Sequence, residues 1–205
     1  AYDTPVNEDD EADVEFVVAQ IALVLPYLDA GTTVLISSQM PAGSTRRLER
    51  MARDLYPAKR LSFAYSPENL RLGKALEVFL KPDRIVVGVR SAPDRDRIAR
   101  VVQPITDRIE WMSVESAEMT KHAINAFLAS SVVFANELAS ICEVVGADAK
   151  EVEKGLRTES RIGPKAYLSP GGAFAGGTLA RDVEFLKKIG AAEGLATPLL
   201  GAIRL

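Results

Sequence analysis

The stretch Thr32–Leu48, TTVLISSQMPAGSTRRL, decides the fold class. Its first seven residues are β-branched and apolar up to a closing pair of serines, the composition of a strand buried on both faces. Pro41 and Gly43 then make a turn, and Ser44 or Thr45 is placed to cap a helix running through Tyr56. A buried strand feeding a helix is the βα unit of a parallel sheet.

The same signal recurs on the C-terminal side. LSFAYSPE (61–68) and RIVVGV (84–89) read as strands, SAPDRDRIARVVQPI (91–105) as a helix, and DRIEWMS (107–113) as a short last strand. On the N-terminal side, DDEADVEFVVAQIALVLPYL (9–28) has an acidic start and apolar residues at helical spacing, with Pro26 bending or ending the helix. This alternation predicts a doubly wound α/β domain.

After Ser113 the pattern changes. Glu115–Val145 is apolar or small nearly all round and contains no proline, which predicts one buried helix ending at Gly146. Helical patterns follow at Asp148–Gly155 and Leu179–Ala192, with no further strand. The expected division is therefore residues 1–112, part of a Rossmann-like parallel sheet, and 113–205, an all-helical domain. The chain opens on AYDTPV without Met and stops inside PLLGAIRL, so we expect a fragment.

With 205 residues, 47% of them hydrophobic, the chain can bury a core of ordinary size. A net charge of -3 gives no basic field for a polyanion, so nucleic acid is not an expected partner. The single Cys142 excludes an internal disulfide, and one histidine, His122, leaves no ordinary zinc site; both are expected to pack inside helices. No stretch reads as the roughly 20 apolar residues of a bilayer span, and no signal peptide opens the chain. No membrane partner and a cytoplasmic setting are the expectation.

Four positions carry possible chemistry. Lys121 and Asn125 lie four apart on the long helix and share a face. Converging on a hydroxyl, they would hold its oxygen while hydride leaves the carbon, the lysine stabilising an oxyanion or relaying a proton. For the bare spacing a solvent-facing lysine and a loop-bonding asparagine are the commoner reading, but the apolar run AINAFLASSVVFANELA places these polar side chains in a core or a cleft. Glu68 follows a strand, where open α/β sheets bind ligands, and would order a water or accept a proton unless it is a surface-turn carboxylate. Asp182 closes the loop PGGAFAGGTLARD (170–182), whose four glycines free the backbone to approach a ligand; a helix-dipole role is its alternative.

In this order the motifs resemble the UDP-glucose/GDP-mannose dehydrogenase family. Asp3-Thr4-Pro5 resembles its Thr-Pro loop, and SSQMPAGSTRRL its S-T-V-P-P-G-T-T turn. SPENLRLGKALEVFLKPDRIVVG is similar to S-P-E-F-L-R-E-G-x-A through P-x-R-I-V-I-G. SAEMTKHAINAFLASSVVFANELASICEVVGAD is similar to the central helix, and RIGPKAYLSPGGAFAGGTLARD to R-I-G-P-x-F-L-x-x-G-x-G-Y-G-G-S-C-F-P-K-D with one added residue.

The resemblance implies an NAD-dependent oxidoreductase of nucleotide sugars, of the kind used in polysaccharide biosynthesis, dimerising through the long helix. It implies catalytic positions at Lys121, Asn125, Glu68, Asp182 and Thr178. Thr4, Ser38, Gln39 and Arg181 would line the cofactor. Glu68, Leu70, Lys121, Asn125, Arg161, Phe174 and Gly176 would line the sugar nucleotide, Arg161 reaching the other subunit's site. No G-x-G-x-x-G occurs, so the pyrophosphate-binding unit is expected before Ala1.

Where the family has a nucleophilic cysteine this chain has Thr178. Gln39 replaces a threonine, Leu72 a glutamate and Arg181 a lysine. A threonine hydroxyl without a base is a much weaker nucleophile than a thiol. The expected reaction is therefore one two-electron oxidation. The alternatives are an inactive dimer that binds a nucleotide sugar, and a full four-electron dehydrogenase.

Overall fold

The computed structural model describes residues 4–5, 12–68, 73–172 and 177–203. They form two compact units, 1–121 and 122–205. In the first, α1 (Val14–Val24) is capped by the Asp13 carboxylate, which accepts from Phe16 N at 2.9 Å, and it gives way to a 3-10 turn at Leu25–Tyr27 where Pro26 stands. Then come β1 (Thr33–Ile36), α2 (Ser44–Leu55), β2 (Ser62–Tyr65), α3 (Ala75–Leu80), β3 (Ile85–Gly88), α4 (Ala92–Val102) and β4 (Ile109–Met112). α3 was not anticipated from the sequence.

The sheet order is β1-β2-β3-β4. β1 and β2 run parallel, with Thr33 opposite Ser62, and β3 and β4 run parallel, with Ile85 opposite Ile109. β2 and β3 meet antiparallel at Tyr65 and Gly88, which makes the sheet mixed where four parallel strands were expected. Strand alternation sends successive side chains to opposite faces. Phe63, Tyr65 and Val86 join Val17, Ile21, Leu48 and Ala52 of α1 and α2, while Ala64 and Val87 join Ile98 and Val102 of α4. Helices thus cover both faces, as the doubly wound reading requires.

The start of α2 corrects the expected cap. Gly43 holds φ 95° as the N-cap, a left-handed conformation that favours glycine, and neither Ser44 nor Thr45 caps the helix with its side chain. The open amides are met from far along the chain. The Glu118 carboxylate, 1% exposed, accepts from Gly43 N at 2.6 Å and from Thr45 N at 2.9 Å. Removing it leaves two donors buried. Glu118→Ala is expected to destabilise the first unit by roughly 3 kcal/mol, read as a lower urea midpoint; an unchanged midpoint would show that water replaces the carboxylate at no cost.

Glu118 lies on α5 (Val114–Val145), which is 32 residues long. Its first turn seats tightly, since a Cβ on Gly88 would come within 2.6 Å of Val114 Cα. Arg90 bonds Glu49 at 2.8 Å and Glu115 at 2.7 Å, and Arg46 bonds Glu115 at 2.6 Å. Hydrogen bonds from Arg90, and then from Arg46, hold the Glu115 carboxyl down at about 2 despite partial burial. Elsewhere in the unit Asp94 is buried and accepts from Ser62, Ser91 and Thr33 at 2.6, 2.6 and 3.1 Å. Burial pushes its carboxyl up, but the three hydroxyls together with the Arg97 charge outweigh it, and the net shift is downward.

The second unit holds the rest of α5 with α6 (Ala149–Thr158), α7 (Gly177–Ala192) and α8 (Pro198–Ala202); α8 too was not anticipated. Its core joins Ala126, Ala129 and Val133 of α5 to Leu179, Val183 and Leu186 of α7, with Leu200 and Ile203. α5 is not buried all round as expected: Phe127, Phe134, Ile141 and Val145 are 71%, 51%, 58% and 70% exposed. By length and composition α5 also reaches what a membrane span needs, contrary to the expectation from sequence. Its Glu118, His122 and Asn125 are nevertheless buried and hydrogen-bonded inside the protein.

Candidate functional site

In the first unit the loops at the ends of the strands are stitched by hydroxyls. Ser37, just past β1, donates to the Ser66 carbonyl at 2.7 Å, and Ser66 donates to the Val86 carbonyl at 2.8 Å. Thr4, 3% exposed, donates to the Gln39 carbonyl at 2.7 Å, which brings two of the expected cofactor residues together beside buried Ser38. These groups lie past the carboxyl end of β1, the edge along which open α/β sheets bind ligands. A dinucleotide fits there only in part. The α2 amides that would hold a phosphate already hold Glu118, so the described residues offer polar contacts along one edge and no pyrophosphate cradle.

Glu68 follows in the loop after β2 and is exposed. Its backbone carbonyl accepts from Lys121 Nζ at 2.9 Å. The lysine is therefore anchored to the loop that carries Glu68, and it is only half-exposed. Leu70 and Leu72 lie outside the described residues.

The second unit gathers polar side chains where apolar ones surround them. Asp182, in α7, is fully buried, accepts from Asn125 Nδ2 and shares a hydrogen bond with His122 Nδ1 at 2.7 Å. His122 is also fully buried, with its ring edge-on to Phe185 at 5.5 Å between centroids and 81° between planes. Val183 and Phe185 are buried on the same stretch of helix. Asp182 is thus six residues into α7 and bonded to side chains of α5, which replaces the helix-dipole account of it.

Sequence reasoning missed His122, which was expected only to fill space. A signal was there: His122 and Asn125 are three apart on one helix, so any acceptor reached by one lies near the other. Cys142 is buried and free, as expected.

Thr178 lies in the first turn of α7 and is exposed. No hydrogen bond joins it to His122, whose Nε2 is buried and has no partner among the described residues. Among the described residues the threonine hydroxyl thus lacks the imidazole base that an activated hydroxyl nucleophile needs. Arg181 is half-buried between Thr178 and Asp182 in the chain. Arg161 is 86% exposed at its side chain and pairs with Glu159 at 2.9 Å. Gly171, on the near side of the glycine loop, donates its amide to Asn136 Oδ1 of α5 at 2.9 Å. Phe174 and Gly176 lie outside the described residues.

Two family models match the chain. Residues 1–106 match the UDP-glucose/GDP-mannose dehydrogenase family, NAD binding domain, and residues 115–205 match the central domain of the same family. The UDP-glucose 6-dehydrogenase of Rickettsia bellii (strain RML369-C) is 34% identical over 191 residues, which is 91% of this chain and 43% of that protein. The UDP-glucose 6-dehydrogenase TuaD of Bacillus subtilis (strain 168) is 33% identical, over 99% of this chain and 44% of its own. The solved UDP-glucose dehydrogenase of Pyrobaculum islandicum superposes with a TM-score of 0.90 at 30% identity, over 99% of this chain and 48% of that one. The chain spans less than half the length of each of these relatives.

Proposed function

Because this chain belongs to the UDP-glucose/GDP-mannose dehydrogenase family, we propose that it forms part of an NAD-dependent oxidoreductase that oxidises a hydroxyl of a UDP- or GDP-sugar in one two-electron step. Residues 1–112 are assigned to the later part of the cofactor domain and 113–205 to the helical domain. The observation that carries the reading is buried Asn125, bonded to Asp182 of α7 and borne on the helix that also presents Lys121, combined with an exposed Thr178 that no histidine of this chain activates.

NAD, when bound, supplies the hydride acceptor. The chain's own residues do the rest. The hydroxyl proton passes to water ordered at the Glu68 carboxylate, Lys121 stabilises the substrate oxygen as negative charge develops on it, and Asn125 holds the same oxygen from one helical turn away. Asp182 fixes the Asn125 amide, because a carboxylate accepts only from its NH2 end. Glu68 keeps Lys121 in place through its carbonyl and offers its carboxylate to order water. Thr4, Ser38, Gln39 and Arg181 are assigned to the cofactor, and Leu70, Arg161, Phe174 and Gly176 to the sugar nucleotide. The names of the relatives make UDP-glucose the first substrate to try. NADH formed by the native protein with UDP-glucose or another UDP- or GDP-sugar tests the reading; tight sugar-nucleotide binding without NADH would replace it with the binding-protein alternative.

The exposed Phe127, Phe134 and Ile141 recur every seven residues, with Val145 one helical turn beyond, so they form one apolar line along α5. A second copy of the chain is the occupant we assign to it, because a line repeating with the helix period matches itself across a two-fold axis. Sedimentation at micromolar concentration should show a dimer, and Phe127→Glu with Phe134→Glu should give monomer. A monomeric unsubstituted protein would overturn the assignment.

A further inference from the structure

We propose that His122 is a positioning residue, held as the neutral Nδ1–H tautomer, whose one hydrogen bond fixes the plane of the Asp182 carboxylate and thereby the amide of Asn125. The inference rests on the proposed role of Asn125 for its catalytic consequence, but not for the tautomer itself.

The argument begins with the proton count of the buried pair. His122 Nδ1 and Asp182 Oδ1 are 2.7 Å apart, and both side chains are fully buried. Three arrangements place a proton in that contact: a neutral imidazole with Nδ1–H facing a carboxylate, an imidazolium facing a carboxylate, and a carboxylic acid facing a bare Nδ1. The second and third both put a hydrogen on Nε2. Nε2 is buried and has no partner among the described residues, so that N–H would be a donor without an acceptor. Only the first leaves an unused lone pair there instead of an orphaned proton.

The consequence runs through Asp182. A carboxylate turns easily about its last torsion, which is broad and roughly two-fold. One donor leaves its plane free to pivot about that contact. Two donors fix it: His122 on Oδ1 and Asn125 on Oδ2. Both come from α5, three residues apart, while the carboxylate comes from α7, so the contact also sets the rotation of one helix against the other within this unit. With the plane fixed, the Asn125 amide cannot flip, since flipping would set its oxygen against a carboxylate oxygen. The same face of Asn125 is then always presented to a ligand. Phe185, edge-on to the imidazole, packs the ring in this pose.

Two measurements decide it. The chain has one histidine, and in a long-range nitrogen-15 spectrum of the labelled native protein the signals lost in His122→Asn are those of its imidazole. The expected spectrum shows Nδ1 protonated and Nε2 bare, and Asp182→Asn should abolish that preference. A protonated Nε2, alone or with Nδ1, overturns the proposal. This readout needs no turnover, so it separates failure of the tautomer from failure of the nucleotide-sugar reading.

The second measurement is the order of two variants in NAD reduction by the native protein. His122→Leu fills the ring's space without a donor, and His122→Asn is smaller but keeps an N–H where Nδ1 stood. The positioning role predicts that Leu lowers kcat on the order of ten- to a hundred-fold with little change in KM, and that Asn restores most of it. A space-filling role predicts the reverse order, and that result overturns the proposal.

Discussion

Lys121→Ala is expected to lower kcat for NAD reduction by roughly 10²- to 10³-fold, the loss seen when one preorganised donor to a developing oxyanion is removed. Folding should survive, because Lys121 is only half-buried and the hydrogen bond it loses goes to the Glu68 backbone carbonyl at 2.9 Å. Lys121→Arg should not restore activity. A guanidinium is a wide, planar fork and cannot replace a compact ammonium aimed at one oxygen. The check is steady-state kinetics beside a thermal melt: a variant that keeps its melting temperature and retains wild-type kcat would remove Lys121 from the chemistry.

Thr178→Cys, the second large effect, is an expected failure. Where a thiol forms the covalent adduct with an aldehyde, it holds that carbon tetrahedral while a second hydride leaves. Restoring the sulfur alone restores only the nucleophile. Position 178 is exposed in the first turn of α7, and the one imidazole in the chain is buried and bonded to Asp182, so among the described residues no imidazole attends the new thiol. Leu72 and Gln39 also stand where the resemblance implies a glutamate and a threonine. We expect the variant to make no sugar acid, with less than about a tenth of the product carried past the aldehyde or ketone, a tenfold deficit corresponding to 1.4 kcal/mol. Acid as the main product of Thr178→Cys would show that the threonine is the sole block.

The strands were legible because each is a short apolar run closed by a turn, and all four lie within the stretches read as strands. The antiparallel meeting of β2 and β3 was not, since strand direction depends on how the Pro67–Arg84 connection returns, which no periodicity encodes. Ser44 and Thr45 drew attention as caps because such residues usually cap their own helix. The carboxylate that serves α2 instead comes from Glu118, 73 residues beyond Thr45, a contact no local pattern can announce. α5 read as buried because it is apolar all round, and its length was right to within a residue. Composition fixes that such a helix needs cover, but not whether the same chain provides it.

The candidate site divides in the same way. Lys121, Asn125 and Asp182 were visible through spacing and resemblance. His122 was passed over because a lone histidine among apolar residues more often fills space, and its partner lies 60 residues away.

The number of NAD molecules reduced for each nucleotide sugar consumed tests the central claim most directly. With the native protein, limiting sugar nucleotide and excess NAD, the account predicts one NADH per sugar and a carbonyl product trapped by a hydroxylamine reagent. Two NADH per sugar, with the sugar acid as product and nothing trapped, would contradict it.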